Sequence, residues 1–370
     1  MRVYLLIMVI AAVVTYLTTP LARWCALRWG AITAVRDRDV HAIPTPRLGG
    51  MAMFAGLLVA LLMGSRLPFL EPVYANPRPI FGVVGGAALV CALGVADDIW
   101  DLDWLTKLMG QVLAAGFLAW QGVLLYRLPL ADNVVSGSSR TAVFITVVSV
   151  IVAMNAVNFV DGLDGLAAGV LAIGGAAFFL YAYLLTVDTR DDYSNLAALV
   201  VAALVGVCVG FLPHNLYPAR IFMGDSGSML LGFVMAAAAI VVTGQIDPAA
   251  VVDRVQFPAY VPILLPVAVL VLPLLDMGLA IVRRLLKGKS PFHPDRLHLH
   301  HRLLALGHSH RRAVVIMYIW TAVLAFGVAA LAVVSTTTAL VATGAGVVVA
   351  TALTLGPLRG RTPTPVEAQP

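Results

Sequence analysis

The chain has 370 residues, of which 61% are hydrophobic and only 12% are charged, and its mean hydropathy is +0.94. A soluble domain carries about 25% charged residues, so the composition excludes an ordinary soluble protein and indicates an integral membrane protein. The net charge of +5 does not call for a nucleic-acid partner, because membrane proteins concentrate Lys and Arg in their cytoplasmic loops.

Long uncharged stretches predict the membrane-spanning helices, since about 20 apolar residues cross the hydrocarbon. Stretches without Asp, Glu, Lys or Arg cover 3–22, 48–65, 79–96, 108–126, 141–160, 165–187, 193–219, 226–246, 255–275 and 313–358. The last is long enough for two helices, with a break at Ser335-Thr-Thr-Thr338. The sequence therefore predicts an all-α integral membrane protein with about eleven transmembrane helices in one domain, residues 1–356. A disordered cytoplasmic tail is predicted at 357–370.

The distribution of basic residues predicts the orientation in the membrane. With the N-terminus outside, 17 of the 24 Lys and Arg residues fall on the cytoplasmic side and 7 fall outside. This asymmetry favours an outside N-terminus and a cytoplasmic C-terminus. It also predicts that the acidic clusters described next face the cytoplasm, in a multi-pass protein of the plasma membrane.

Two adjacent carboxylates, Asp97 and Asp98, close the third predicted span, and Lys107 opens the fourth. Adjacent carboxylates repel each other unless a cation lies beside them. Mg²⁺ is a suitable cation, because it binds a few carboxylates together with phosphate oxygens, and Mn²⁺ could replace it. A solvated loop without a ligand is the alternative interpretation, which fits less well because the pair adjoins a membrane span.

Polar side chains are concentrated where the fifth predicted span meets the sixth. Asn155 and Asn158 lie near the end of the fifth span, and Asp161 and Asp164 follow it, with Gly162 and Gly165 next to the two acids. Glycine allows close backbone approach and unusual φ values, as a ligand site requires. Asp164 alone could be the N-cap of the sixth span. That alternative does not explain the other polar residues.

A third cluster, Phe222-Met-Gly-Asp225-Ser-Gly-Ser228, precedes the eighth predicted span. Small residues at a helix N-terminus leave backbone N–H groups available to an anion. A carboxylate beside an anion makes sense when a divalent metal lies between them, and Arg220 could assist. A capped tight turn is the alternative interpretation.

A segment rich in histidine and arginine follows the ninth predicted span and includes His298, His300, His301 and Arg302. Zinc binding lacks support from Cys residues or an established His spacing. A phosphate- or sugar-binding loop fits better. A plain cytoplasmic loop would explain the Arg and Lys residues but not the His. Asp276 either pairs with a nearby arginine or faces the site.

Taken in order, these motifs resemble those of a known family. They are Arg38-Asp-Val-His41 with Pro46-Arg-Leu-Gly-Gly50, Asp97-Asp98 with Lys107 and Gln111, Asn158-Phe-Val-Asp161-Gly-Leu-Asp164-Gly, Asn215 with Phe222-Met-Gly-Asp225-Ser-Gly, and His298-Leu-His300-His301. Each motif is weak alone, but five in order are specific. The chain resembles the polyprenyl-phosphate N-acetylhexosamine-1-phosphate transferases (glycosyltransferase 4 family), a superfamily shared with the phospho-N-acetylmuramoyl-pentapeptide transferases. The His-x-His-His form is more similar to the N-acetylglucosamine branch.

The resemblance implies a role for each matching position. Asp225 would be the main Mg²⁺ ligand. Asp97 and Asp98 would join the metal site and orient the lipid phosphate, with Asp97 as a candidate base. Phe222 would stack on uracil, and Asp164 would bind the edge of that ring. The remaining candidate contacts to nucleotide, phosphate or sugar are Lys107, Asn158, Asp161, Asn215, Arg220, His298, His300, His301 and Arg302.

The resemblance also implies the reaction. A polyprenyl phosphate (undecaprenyl or decaprenyl) would attack UDP-GlcNAc and give polyprenyl-diphospho-GlcNAc and UMP, the first membrane step of a cell-envelope glycan. The expected partners are UDP-GlcNAc, the lipid and the bilayer, and spans rich in Gly and Ala would permit a homodimer. A muramoyl-pentapeptide transferase is the nearest alternative. A transporter is a further one, although it would place carboxylates near the bilayer midplane instead of at span ends.

Overall fold

The computed structural model describes residues 1–33, 44–130, 133–136, 138–189, 191–245, 261–288 and 299–356. The Arg38–His41 motif, His298 and the tail at 357–370 lie outside these residues. The described helices are α1 (Arg2–Trp29), α2 (Gly49–Gly64), α3 (Glu71–Ala75), α4 (Pro77–Trp100), α5 (Trp104–Trp120), α6 (Ser139–Val160), α7 (Leu166–Thr189), α8 (Asp192–Asn215), α9 (Gly224–Gln245), α10 (Val261–Val269), α11 (Val271–Leu286), α12 (Leu299–Ala305), α13 (His310–Ala330) and α14 (Thr336–Leu355).

The all-α prediction is confirmed, and a helix lies in every predicted span. Eight of the described helices are long and apolar enough to cross a membrane, and two bent helix pairs raise the number to as many as ten. The 17-residue α5 occupies the remaining stretch. The predicted break within 313–358 is also found, since α13 ends at Ala330 and α14 begins at Thr336. Ser335 caps α14 by accepting the N–H of Thr338 at 3.2 Å. The count of eleven spans and the orientation remain predictions.

Two spans are bent, which the sequence analysis did not predict. The axes of α10 and α11 differ by 67°, and α2 meets the short helical segment Pro68–Ala75 at 92°. Pro266 inside α10 and Pro273 in the first turn of α11 lie close to the first bend. Proline removes a backbone N–H and clashes with the preceding turn, so a bend at this position has a local cause.

The centre of the bundle is formed by α8 and α9, whose side chains are mostly buried, whereas α14 lies at the periphery. Glycine allows the closest helix contacts. On α8, Gly206 and Gly210 lie against the backbone of α1, where a Cβ atom would collide with Met8 and Ala12. Small residues are the usual solution in a membrane, because lipid tails provide no hydrophobic drive for helix association. Close glycine contacts therefore join α8 to α1.

Two short antiparallel ribbons add to the helices. Strand β1 (Ile32–Thr33) pairs with β2 (Thr45–Pro46), and β3 (Arg127–Leu130) pairs with β4 (Asn133–Ser136). They lie in connections between spans and are too short to show a two-residue hydrophobic alternation in the sequence. The first ribbon leads directly into α2 and the candidate site.

Candidate active site

The three acidic clusters meet at one end of the bundle. Asp97 and Asp98 lie in the last turn of α4, and Asp225 lies in the first turn of α9. Asp161 and Asp164 lie in the turn between α6 and α7. The structure thus brings together the clusters that the sequence analysis placed on one side. The assignment of that side to the cytoplasm stays a prediction.

Asp98 joins α4 to the N-terminus of α9. Its Oδ1 accepts the backbone N–H of Asp225 at 3.0 Å, and its Oδ2 accepts that of Ser226 at 3.1 Å. Gly224 has φ +69°, and a Cβ atom there would collide with the Asp98 carboxylate. The first amides of α9, which the sequence analysis assigned to a substrate anion, therefore bind a carboxylate of the chain itself.

The segment before α2 also packs on this region. Phe222 donates its N–H to Pro46 O at 2.8 Å, and Gly49 donates its N–H back to Phe222 O at 3.0 Å. Gly50 and Gly94 lie so close to the backbone of Ser226 that a Cβ atom at either position would collide with it. The first turn of α9 is thus held by α2, by α4 and by the loop that precedes it.

Lys107 lies between two of the carboxylates. Its Nζ is 2.7 Å from Asp97 Oδ2 and 2.5 Å from Asp225 Oδ2. Asn158 donates from Nδ2 to Asp225 Oδ1 at 2.9 Å and to the hydroxyl of Ser228 at 2.9 Å. The Asp225 side chain remains 22% exposed, so it is fixed by neighbours and still reachable from outside.

Behind these residues lies a buried amide pair. Asn155 donates from Nδ2 to Gln111 Oε1 at 2.8 Å, and Gln111 also contacts the sulfur of Met229. The pair links α5, α6 and α9 one turn deeper than Asp225. Ser228 was missed as a site residue in the sequence analysis. Its position three residues after Asp225, on the same face of α9, is the signal that could have revealed it.

Asp161 lies half-buried in the turn after α6. Desolvation, and in smaller part the negative charges of Asp225, Asp98 and Asp164, raise the pKa of its carboxyl to about 8. The neighbouring carboxylates therefore repel one another electrostatically. The acidic residues of the site outnumber the one lysine, Lys107.

Asp164 and Asn215 hold the loop that carries Phe222. Asp164 Oδ2 accepts the N–H of Ala219 at 2.9 Å. Asn215 accepts the N–H of Gly165 at 3.0 Å and donates to Ile221 O at 3.0 Å. Asp164 thus holds the loop at Ala219, and Asn215 joins Ile221 of the loop to Gly165 in the turn before α7.

The other predicted substrate contacts lie around this core. Arg220 is exposed, and Phe222 is half-buried. His300, His301 and Arg302 belong to the short helix α12, where the Arg302 side chain is exposed. The role of each residue remains a prediction.

A cavity of about 300 Å³ next to Asp164 contains residues that the sequence analysis did not single out. Tyr217 stacks on His310 with ring centroids 4.7 Å apart, and the Arg311 guanidinium lies 5.6 Å from the Tyr217 ring. His310 Nε2 also accepts the N–H of Asp164 at 3.2 Å. These residues are distant in the sequence, so spacing gave no signal for them.

The donor set suits a hard divalent cation. Among the described residues, no group of three or more His, Cys, Asp or Glu side chains is arranged to hold a metal by itself. Mg²⁺ rarely uses such a cage, because it binds one or two carboxylates and completes its shell with water and phosphate oxygens. Asp97 and Asp225 lie on either side of one cationic nitrogen, so the two carboxylates are close enough to share a positive charge.

Comparison with known proteins places this geometry in a family. Residues 80–243 match the model of glycosyl transferase family 4. The chain is 43% identical over 360 residues to the decaprenyl-phosphate N-acetylglucosaminephosphotransferase of Mycolicibacterium smegmatis, which covers 95% of this chain and 88% of the relative. The chain belongs to glycosyl transferase family 4. The matched region extends from α4 to α9 and contains all five acidic site residues of this family 4 transferase.

Two other relatives differ in the reaction that their names describe. The transferase is 30% identical over 318 residues to a probable undecaprenyl-phosphate N-acetylglucosaminyl 1-phosphate transferase of Bacillus subtilis, covering 84% of this chain and 81% of the relative. It is 31% identical over 315 residues to a phospho-N-acetylmuramoyl-pentapeptide-transferase of Desulforudis audaxviator, covering 80% of this chain and 86% of the relative. Similarity is thus greater to the decaprenyl-phosphate relative than to either of these.

Proposed function

We propose that this transferase moves N-acetylglucosamine 1-phosphate from UDP-GlcNAc to a polyprenyl phosphate, giving polyprenyl-diphospho-GlcNAc and UMP. The reaction would take place at the cytoplasmic face of the plasma membrane, as the first membrane step of a cell-envelope glycan. The observation that carries the proposal is the group of Asp97, Lys107 and Asp225 at the ends of three apolar helices. A lipid phosphate and a water-soluble nucleotide can both reach such a position.

The chemical problem is to bring two anions together. A phosphate oxygen of the lipid attacks the β-phosphorus of the donor, and the bond to UMP breaks. Catalysis of such a transfer depends mainly on positioning and on compensating charge. Lys107 provides a fixed positive charge in the centre of the site, and Arg220 provides an exposed one at its edge. We propose that Asp97, which lies 2.7 Å from Lys107, orients the lipid phosphate and removes its proton.

We propose that Asp225, with Asp97, holds Mg²⁺, and that Mn²⁺ can replace it. When bound, the metal would supply positive charge that offsets the charge of the substrate phosphates. Asp98 fits this role less well, because both of its oxygens already accept N–H groups of α9. Asn158 would keep the Asp225 carboxylate in its orientation through the 2.9 Å hydrogen bond to Oδ1.

The donor nucleotide would bind next to this centre. Phe222 would stack on the uracil, and Asp161 and Asp164 would complete the nucleotide site. Asn215 would act by holding the loop of Phe222, because its side-chain amide joins Ile221 to Gly165 in the turn before α7. The segment of His298, His300, His301 and Arg302 would contact the sugar or its phosphate.

An apolar cavity of about 280 Å³ supports the proposed lipid substrate. It lies between α6, α9 and the bent pair α10–α11, and its lining is almost entirely apolar, with residues such as Val152, Ile240 and Leu270. Val152 on α6 and Ile240 on α9 lie deeper in the bundle than Asn158 and Asp225 on the same helices. We propose that a distal part of the prenyl chain occupies this cavity while its phosphate stays at the helix ends.

The donor preference tests the proposal. Membranes that contain the transferase are incubated with polyprenyl phosphate and either UDP-GlcNAc or UDP-MurNAc-pentapeptide, and UMP release is followed. UMP release with UDP-GlcNAc but not with UDP-MurNAc-pentapeptide supports the proposal. The opposite donor preference indicates the muramoyl alternative. Absence of release with both donors would contradict both.

A further inference from the structure

An arginine next to the site has a buried nitrogen without a partner. Arg47 is half-buried, and its Nε is enclosed by the protein without a hydrogen bond to any described residue. In the described part of the chain its guanidinium also forms no ion pair. Leaving a buried donor unsatisfied destabilises the folded protein, most of all when the group is charged. A residue of this kind suits a site where an anion arrives from outside.

The backbone of Arg47 is fixed against the loop that leads to α9. Arg47 forms a parallel β-bridge with Phe222 and donates its N–H to Ala31 O at 3.0 Å. Three residues later, Gly50 donates its N–H to Met223 O at 3.0 Å. Arg47 is therefore held beside Phe222, which itself lies three residues before Asp225.

The described carboxylates of the site form contacts with groups other than the Arg47 guanidinium. Asp97 and Asp225 are ion-paired with Lys107, and Asp98 binds the amides of α9. Lys107 is thus engaged by carboxylates, whereas no carboxylate of the described residues forms an ion pair with the Arg47 guanidinium. A guanidinium presents two parallel N–H groups that match two oxygens of a phosphate.

We propose that Arg47 is a donor-binding residue whose guanidinium holds the diphosphate of the nucleotide-sugar beside Phe222. The inference rests on the proposed function, because it assumes that a nucleotide diphosphate enters this site. It adds a residue that composition and motif order did not assign to the substrate. The lipid phosphate is not the ligand of Arg47 in this proposal, since the proposed function assigns that phosphate to Asp97.

Purified transferase in lipid nanodiscs provides the test, with Arg47→Met, Arg47→Lys and the control Arg23→Met. Arg23 is an exposed cation near the end of α1. Charged hydrogen bonds predict that Arg47→Met raises the KM for UDP-GlcNAc about 10- to 100-fold, with a smaller rise for Arg47→Lys. The KM for polyprenyl phosphate should change less than about 3-fold in every variant, because loss of a charge that does not contact the lipid phosphate has only a small effect.

Thermal unfolding with and without UDP separates binding from a structural role. Because Arg47 has an unsatisfied nitrogen, Arg47→Met should leave the ligand-free Tm unchanged or raise it, and UDP should no longer raise the Tm of this variant. A lower ligand-free Tm with a normal UDP response would overturn the proposal, as would an unchanged donor KM. Failure of the wild-type protein to use UDP-GlcNAc would instead contradict the proposed function.

Discussion

Asp98 accepts a hydrogen bond from the backbone N–H of Asp225 at 3.0 Å, although the two residues are 127 positions apart in the chain. This bond fixes the end of α4 to the start of α9, and it turns one member of an acidic pair into a structural cap. The other member, Asp97, faces Lys107. Asp98 therefore caps α9 while Asp97 contacts Lys107, because successive residues of a helix point about 100° apart.

Asp98→Ala should destabilise the protein more than removal of an exposed cap. It leaves two buried N–H groups of α9 unsatisfied, at about 1–3 kcal/mol each. The matched control is Asp103→Ala, because Asp103 is an exposed N-cap that accepts the N–H groups of Leu105 and Thr106. Loss of such a cap costs about 1 kcal/mol. Thermal unfolding in detergent compares the two variants, and an equal or smaller fall in Tm for Asp98→Ala would refute the capping role.

Gly224→Ala should lower both stability and activity. The residue has φ +69°, and the new Cβ atom would collide with Asp98. A left-handed conformation costs a non-glycine residue about 1–2 kcal/mol, before the collision is counted. Gly116→Ala in α5 is the control, since a Cβ atom there meets nothing within 4 Å. Tm and UMP release are measured for both variants, and equal behaviour would contradict the packing described here.

Lys107→Met should slow transfer strongly while the protein still folds. The substitution removes the only cation described between Asp97 and Asp225, so these carboxylates repel each other and the incoming phosphates. A loss of about 100-fold or more in kcat is expected, comparable with removal of one preorganised electrostatic group. Lys107→Arg should keep part of the activity. A wild-type kcat for Lys107→Met, measured by UMP release, would remove Lys107 from the catalytic centre.

Asp276→Ala should weaken donor binding through the histidine segment. Asp276 is buried, and its Oδ1 accepts the N–H of Leu299 at 2.9 Å, at the start of the helix that contains His300 and His301. The sequence indicated an ion pair or a place in the site for Asp276, and this backbone contact was not predicted. Asp276→Asn keeps an acceptor oxygen and should retain more activity. The KM for UDP-GlcNAc is the readout, and equal values for the Ala variant and wild type would show that the contact is dispensable.

Much of this architecture could be predicted from the sequence, because uncharged stretches of suitable length indicate spans directly. The meeting of Asp97, Asp161 and Asp225 also followed from counting spans. The direction of each side chain did not follow, since a sequence does not tell which of two adjacent carboxylates faces a lysine and which faces an amide. The backbone contacts of Asp164 and Asn215 were equally hidden, because their partners lie in a loop without a periodic pattern.

The transfer rate of Asp225→Asn tests the central claim most directly. UMP release from UDP-GlcNAc and polyprenyl phosphate is measured with Mg²⁺ for wild type, Asp225→Asn and the control Asp188→Asn. Asp188 is exposed near the end of α7 away from the site. Loss of a metal-binding carboxylate removes several kcal/mol of charge stabilisation, so Asp225→Asn should be at least about 1,000-fold slower at a normal protein level, with Asp188→Asn near wild type. Wild-type UMP release by Asp225→Asn would contradict the account.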